Sequence, residues 1–196
     1  MNRKRIAIIQ GHPDQSNLHY CHTIAHAYEK GARDAGHITQ TVEAASLSTP
    51  FLSNQLEFNT HDIDSSILNI QGLILWADHI VTIYPLWLGT MPALLKHFFE
   101  QIFRPRFAFF KTKGRMWPIK ILKGKCVRVV VTMRIPAIIY RWFYRAHSLK
   151  SLEQNILYFV GLKPVYHSLI GQIDTASERN RLKWLKRMKK FGEACI

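Results

Sequence analysis

The sequence predicts a doubly wound α/β fold, a mostly parallel sheet with helices on both faces. Three observations carry that expectation. Short valine- and isoleucine-rich runs alternate with longer segments of helical periodicity. The central runs are apolar along their whole length, as strands covered on both faces must be. No internal repeat, low-complexity tract or long linker divides the 196 residues, so one domain over 1–196 is expected, large enough to bury a real core.

The elements follow in order. Arg5-Ile6-Ala7-Ile8-Ile9 is an apolar run that closes at Gln10-Gly11-His12-Pro13, the pattern of a buried strand entering a turn. Leu18 to Ala35 places Leu18, Cys21, Ala25, Tyr28 and Ala32 on one helical face, with Gly36 as a stop. His37 to Glu43 alternates, which suits a strand nearer a sheet edge. Residues 46–63 read as irregular, and Ser65 to Ala77 as a helix. His79 to Tyr84 is the third strand. From Pro92 a stripe of Leu94, Leu95, Phe98, Phe99, Ile102 and Phe103 marks a helix, with Lys96, His97, Glu100 and Gln101 opposite. Pro92 suits its first turn, and Thr90 is a candidate cap.

Residues 104–123 form a basic-aromatic excursion. Cys126 to Thr132 is a fourth strand, Tyr140 to Phe159 a helix, Pro164 to Ile170 a fifth strand, and Thr175 to Phe191 a final basic helix. The expected architecture is a flavodoxin-like, doubly wound five-stranded parallel sheet. Ligands in such folds sit beyond the carboxyl ends of the strands.

Composition narrows the classes of function. Cys21, Cys126 and Cys195 match no metal or redox spacing, which points to buried thiols and a reducing, cytoplasmic setting. No apolar span reaches transmembrane length, because Asp78 and His79 interrupt the best candidate. The net charge of +14 is uneven: residues 1–103 hold 6 Lys/Arg against 9 Asp/Glu, and residues 104–196 hold 21 against 4. A basic half attracts phosphorylated cofactors, nucleic acid or an anionic membrane, and equally serves as a plain solvated surface. His19, His22 and His26 have only partial ligand spacing and read as helix-surface residues, so no metal site is expected. No Ser/His/Asp or Cys/His arrangement suits hydrolysis.

Three segments follow strand ends. In GHPDQSNL (11–18) a helix start offers free amides and a positive dipole end to a phosphate, with Ser16, Asn17 and His12 as side-chain donors. An ordinary capped turn has the same composition, and no GxGxxG or Walker A motif accompanies it. Pro85-Leu86-Trp87-Leu88-Gly89 is too bulky for a plain turn and could wall a flat aromatic ligand. Thr132-Met133-Arg134-Ile135-Pro136 follows the fourth strand and could face it.

Here the residues resemble a known family. GHP-x-x-SN, then YPLWLGTMPALLKHFFEQIF (84–103), RPRFAF (104–109), NILYFVGL (155–162) and SLIG (168–171) are similar to the flavin-dependent NAD(P)H:quinone oxidoreductases, the DT-diaphorase-like branch of the flavodoxin fold. The resemblance runs almost end to end. It implies a tightly bound flavin, usually FAD with FMN possible, NAD(P)H as co-substrate, and ping-pong hydride transfer to a quinone. It also implies a homodimer with its sites at the subunit interface. By that resemblance His12, Ser16, Asn17 and Leu18 hold the phosphates and ribityl chain. Pro85, Leu86, Trp87 and Leu88 line the isoalloxazine, and Thr132, Met133 and Arg134 form the facing wall. Tyr140 and His147 stand at the positions of a relay pair that stabilises reduced flavin, although a helix-packing tyrosine and a surface histidine would read the same.

Two departures stand out. Relatives have Thr-Thr-Gly-Gly where this chain has Thr132-Met133-Arg134-Ile135, and glycine where it has Arg106. Arg134 could set a charge beside the flavin or point to solvent. Other readings are an electron carrier, which is usually acidic, an ancillary flavoprotein regulating a membrane transporter, and a binder of membrane surfaces or nucleic acid. The last rests on RIPAIIYRWFYRAH (134–147), which mixes arginine with aromatics. The enzyme reading expects no specific nucleic acid and leaves peripheral membrane contact open.

Overall fold

The computed structural model describes residues 3–16, 19–60, 63–112, 114 and 116–196. Five strands, β1 Arg5–Gln10, β2 Ile38–Glu43, β3 His79–Pro85, β4 Cys126–Thr132 and β5 Val165–Ile170, form one parallel sheet in the order β2-β1-β3-β4-β5. Every neighbouring pair is parallel, and β2 is an edge, as its alternation predicts. β3 is buried at every residue and β4 at all but Cys126, which is why both read as continuous apolar runs. The strands end in step: Gln10 lies beside Ile83, Pro85 beside Thr132, and Thr132 beside Ile170. The loops that follow them therefore emerge together.

Helices cover both faces. They are α1 Tyr20–Asp34, α2 Ser65–Trp76, α3 Ala93–Ile102, α4 Ala137–Trp142, α5 His147–Ser151 and α6 Glu178–Ala194. One core cluster joins Tyr28 of α1 and Met188 of α6 to Ile8 and Val81 of the sheet. The other joins Ile74, Leu95 and Phe98 to Ile80 and Val129. Leu95 and Phe98 are fully buried, and each contributes about 1.5–3 kcal/mol by leaving water, so α3 and the loop before it are held to the sheet.

Several local expectations need correction. Thr90 does not cap α3; Pro92 takes the cap position, while Thr90 exchanges two backbone hydrogen bonds with Trp87. The far face of α3 is not all solvent: His97 and Gln101 are buried. The stretch from Thr49 to Glu57 covers them. His97 Nε2 meets Thr49 Oγ1 at 3.3 Å, and Gln101 donates to the Pro50 carbonyl at 2.7 Å. A one-turn helix, Gln55–Asn59, follows within a segment expected to be irregular.

The helix expected over 140–159 is broken. α4 ends at Trp142, and Arg145 and Ala146 take φ of 52° and 51° before α5 begins. From α5 the chain runs through a π turn, Leu152–Leu157, into Tyr158–Val160. The final helix starts at Glu178 rather than Thr175, because the Ser177 side chain accepts from the Asn180 amide and fixes the boundary. The 104–123 excursion contains a two-stranded antiparallel ribbon, Phe109–Phe110 with Ile119–Lys120.

Candidate functional site

The order β2-β1-β3 places the topological switch point between β1 and β3. The first loop begins there. His12 is buried at the end of β1, and its Nδ1 lies 3.1 Å from the Asp14 amide and 3.2 Å from the Asp14 carbonyl, accepting from the first or donating to the second according to its tautomer. Burial, then the neighbouring His19, holds the His12 pKa below its ordinary value. His19 stacks on His12 with centroids 3.9 Å apart and places Nε2 at 2.6 Å from Asp14 Oδ2. That bond and the Ser16 amide lower the Asp14 carboxyl to about 2. The Ser16 amide donates to Asp14 Oδ1, closing a short turn that leaves Ser16 exposed. Asn17 and Leu18 lie outside the described residues.

His19 occupies the N-cap of α1 with no side-chain cap bond, and the first turn of α1 holds no acidic residue. Its leading amides and dipole are therefore available to an anion. His22 corrects the expectation of a surface histidine. It is buried, and neither of its ring nitrogens has a hydrogen-bond partner among the described residues.

The second loop crosses from β3. The Leu86 amide donates to the Thr132 carbonyl at 2.7 Å, tying this loop to the end of β4. Trp87 and Thr90 then close a tight turn through bonds of 2.8 and 2.9 Å. Leu88 and Gly89 form its corner with φ of 47° and 80°, a pairing that leaves their own amides outside that pair of bonds. Trp87 is exposed, and its ring meets the edge of His12 at 6.1 Å. The two loops thus meet across the switch point.

The third loop leaves β4. Met133 is buried, and its amide donates to the Ile170 carbonyl at 2.8 Å. Its own carbonyl accepts from Ile173, and that of Ile135 accepts from Gln172. Arg134 points outward and pairs with Asp174. Tyr140 is buried, with its hydroxyl 2.6 Å from Ser148 Oγ and accepting from the Leu149 amide at 3.2 Å. His147 stands exposed at the start of α5.

Between the second and third loops lies a cleft of about 520 Å³. Six residues singled out from the sequence line it: Leu86, Leu88, Met133, Arg134, Tyr140 and His147. Pro85 and Thr132 are buried as the last residues of paired strands and are not among the residues that line it. His12 and Ser16 stand apart from this cleft, on the Trp87 side.

A family model described as flavodoxin-like fold matches residues 4–191. The chain belongs to that family. A protein of Haemophilus influenzae described as an uncharacterized NAD(P)H oxidoreductase is 28% identical over 135 residues, which span 67% of this chain and 66% of that relative. Among solved structures, an NAD(P)H:quinone oxidoreductase from Methanothermobacter marburgensis superposes with a TM-score of 0.80 at 20% identity, covering 100% of both chains. An FMN-dependent NADH-azoreductase from Bacillus anthracis, in complex with FMN, gives 0.76 at 13% identity, covering 98% of this chain and 99% of the other. At these identities the structural likeness speaks for the flavodoxin-like fold, which the strand order shows independently.

The two departures from the glycine pattern resolve differently in this flavodoxin-like chain. Arg106 sits at φ 70°, a conformation that favours glycine, held where its amide donates to Phe109. Met133, Arg134 and Ile135 have no positive φ, so their loop needs no glycine. The glycine stands instead in the neighbouring loop. A Cβ on Gly171 would collide with the Ala137 amide and lie 2.7 Å from the Ile135 carbonyl.

Sequence reasoning missed Ser148 and Tyr144, which also line the cleft, and a second hollow of about 430 Å³ beside Tyr20, Arg181 and Trp184. There Tyr20 donates to the Arg181 carbonyl at 3.0 Å, with the Arg181 guanidinium 5.6 Å over its ring. Aromatic and cationic residues at the starts of α1 and α6 were the available signal, but only the sheet order brings those starts together.

Proposed function

We propose that this protein is a flavin-dependent NAD(P)H oxidoreductase that reduces quinones or similar acceptors by two-electron, ping-pong hydride transfer. The observation that carries this reading is the meeting of the second and third loops around one apolar-walled cleft at the carboxyl edge of the sheet, with the first loop and its phosphate-competent helix start on the Trp87 side. The names of the Haemophilus, Methanothermobacter and Bacillus proteins support NAD(P)H chemistry, and the last two support quinone and azo acceptors respectively.

The residues fit a flavin. Gln10 Nε2 and both His22 nitrogens are buried without partners among the described residues at the phosphate end, where a ligand's oxygens and waters would satisfy them. Bound there, a flavin supplies a two-electron carrier that NAD(P)H and the acceptor use in turn. His12 offers a ring N–H to a phosphate oxygen and Ser16 its hydroxyl, and by the sequence resemblance Asn17 and Leu18 complete that end. Pro85, Leu86, Trp87 and Leu88 give the ring an apolar wall, and Trp87 excludes water from its face. Thr132, Met133 and Arg134 close the other side.

In this reading Tyr140 and His147 hold protons beside the ring. The Tyr140 and Ser148 hydroxyls share a hydrogen bond of 2.6 Å in which either can donate, and His147 lines the same cleft. Arg134 adds positive charge that Asp174 partly offsets. The hollow at Tyr20, Arg181 and Trp184 gives room and cations for the adenylate end of a dinucleotide, which favours FAD over FMN. A groove of about 720 Å³ along the outer side of α3, lined in part by Phe58, Phe99, Phe103 and Phe159, supports a homodimer. No helix among the described residues is long and apolar enough to cross a membrane; a cytoplasmic location is proposed on the three cysteines, whose thiols are free.

Anaerobic stopped-flow mixing tests the mechanism. NADPH should bleach the visible flavin band in a first phase, and a quinone or azo dye added afterwards should restore it. Bleaching that requires the acceptor to be present would overturn the ping-pong order. Reoxidation by azo dyes with quinones inert would move the acceptor class.

A further inference from the structure

The segment that closes the cleft carries a second feature, which the redox reading does not use. α4 and the turn after it expose Ile138 at 66%, Trp142 at 75% and Phe143 at 78%, with Ile139 and Tyr144 beside them. Leu88 of the facing wall is fully exposed, and both Leu88 and Tyr144 line the cleft. Large apolar side chains are thus clustered around one opening rather than scattered singly. Arg141 and Arg145 are interleaved with them, and both are exposed. Residues 134–150 contain no Asp or Glu, and neither of these arginines has an ion pair among the described residues.

We propose that this patch docks the protein on an anionic lipid surface, with Trp142, Phe143 and Ile138 inserted at the headgroup boundary and Arg141 and Arg145 on the phosphates. Charge complementarity selects this occupant. The net charge is +14, and α6, whose start lies at the same end of the sheet, adds exposed Arg179, Lys183 and Lys186. Tryptophan with arginine is the composition that settles at a membrane interface. Nucleic acid is the poorer fit, because Ile138, Ile139 and Leu88 cannot stack on bases and gain only from a hydrocarbon phase. A symmetric contact with a second copy is also poorer. The homodimer proposed above already has an apolar face along α3, and residues 134–150 supply cations but no carboxylate to pair them across a second interface.

Sedimentation with phosphatidylcholine vesicles, with and without phosphatidylglycerol, tests the docking on the full chain and needs no turnover. The protein should pellet only with the anionic vesicles, release at high salt and show a blue-shifted tryptophan emission. Arg141→Ala with Arg145→Ala should weaken binding about fivefold per arginine. Trp142→Ser with Phe143→Ser should weaken it at least tenfold while leaving the melting temperature unchanged, since both side chains are exposed. The proposal is overturned if wild-type protein stays in the supernatant or if the Trp142/Phe143 variant pellets like wild type. It is equally overturned if that variant turns a dimer into a monomer, or if duplex DNA binds in place of vesicles.

Discussion

The two walls of the cleft are built on opposite plans. The wall after β3 closes largely on itself: Trp87 and Thr90 close their own turn, Leu88 and Gly89 bend at its corner, and the Leu86 amide ties its base to Thr132. The wall after β4 is held from outside, by Ile170, Gln172 and Ile173 through the backbone, by Asp174 through Arg134, and by Ser148 and Leu149 through Tyr140. A locally closed turn tolerates change in its neighbours. A wall assembled from three segments transmits any change in one of them to the others.

The sharpest way to break that contrast is a pair of glycine substitutions. Gly171→Ala forces a Cβ into the Ala137 amide, and overpacking of this kind costs about 1–3 kcal/mol, here at the upper end because backbone must move. Gly89→Ala meets no atom within 4 Å and pays only for a left-handed φ, about 1 kcal/mol. Urea midpoints should separate the two. Equal effects would mean that the walls are equally coupled. Next in size, Tyr140→Phe leaves Ser148 and the Leu149 amide without their partner, an expected loss of about 1–2 kcal/mol on the second wall alone.

Acid should act from below the first wall. His79 begins β3 fully buried, and burial, then Arg128, lowers its pKa to about 3. The unfolded chain binds this proton near pH 6.5 and the folded one does not. Stability is therefore complete above about pH 6.5 and falls by up to about 1.4 kcal/mol per pH unit as the pH drops toward 3. His79→Leu should flatten that slope in pH-dependent melting, and an unchanged slope would place the acid sensitivity elsewhere. The smallest effect belongs to Asp174→Ala. Its pair with Arg134 is solvent-exposed, so stability should change by less than about 1 kcal/mol.

The same contrast explains what was legible in the sequence. β4 matched residue for residue, because a valine run buried on both faces has no alternative placement. The first wall was legible as a unit, since its turn, its proline and the stripe of α3 are contiguous. The second was not. The break between α4 and α5 falls at Arg145 and Ala146, where positive φ is held without glycine or proline to announce it. Missing that break hid Ser148 as the partner of Tyr140. The burial of His97 and Gln101 depends on a cover some 50 residues earlier in the chain, and that of His22 on packing around the β1–α1 loop. Helical periodicity reports neither.

Flavin binding itself tests the central claim most directly. Purified protein, and the Trp87→Ala variant, would be titrated with FAD and with FMN, and the visible absorbance followed before and after anaerobic addition of NADPH. The account predicts a bound flavin that NADPH bleaches, FAD held more tightly than FMN, and affinity about tenfold weaker in Trp87→Ala with stability unchanged. Protein that stays colourless in excess FAD and FMN would contradict it, and a Trp87→Ala variant that binds and reduces flavin like wild type would leave the first wall a structural turn.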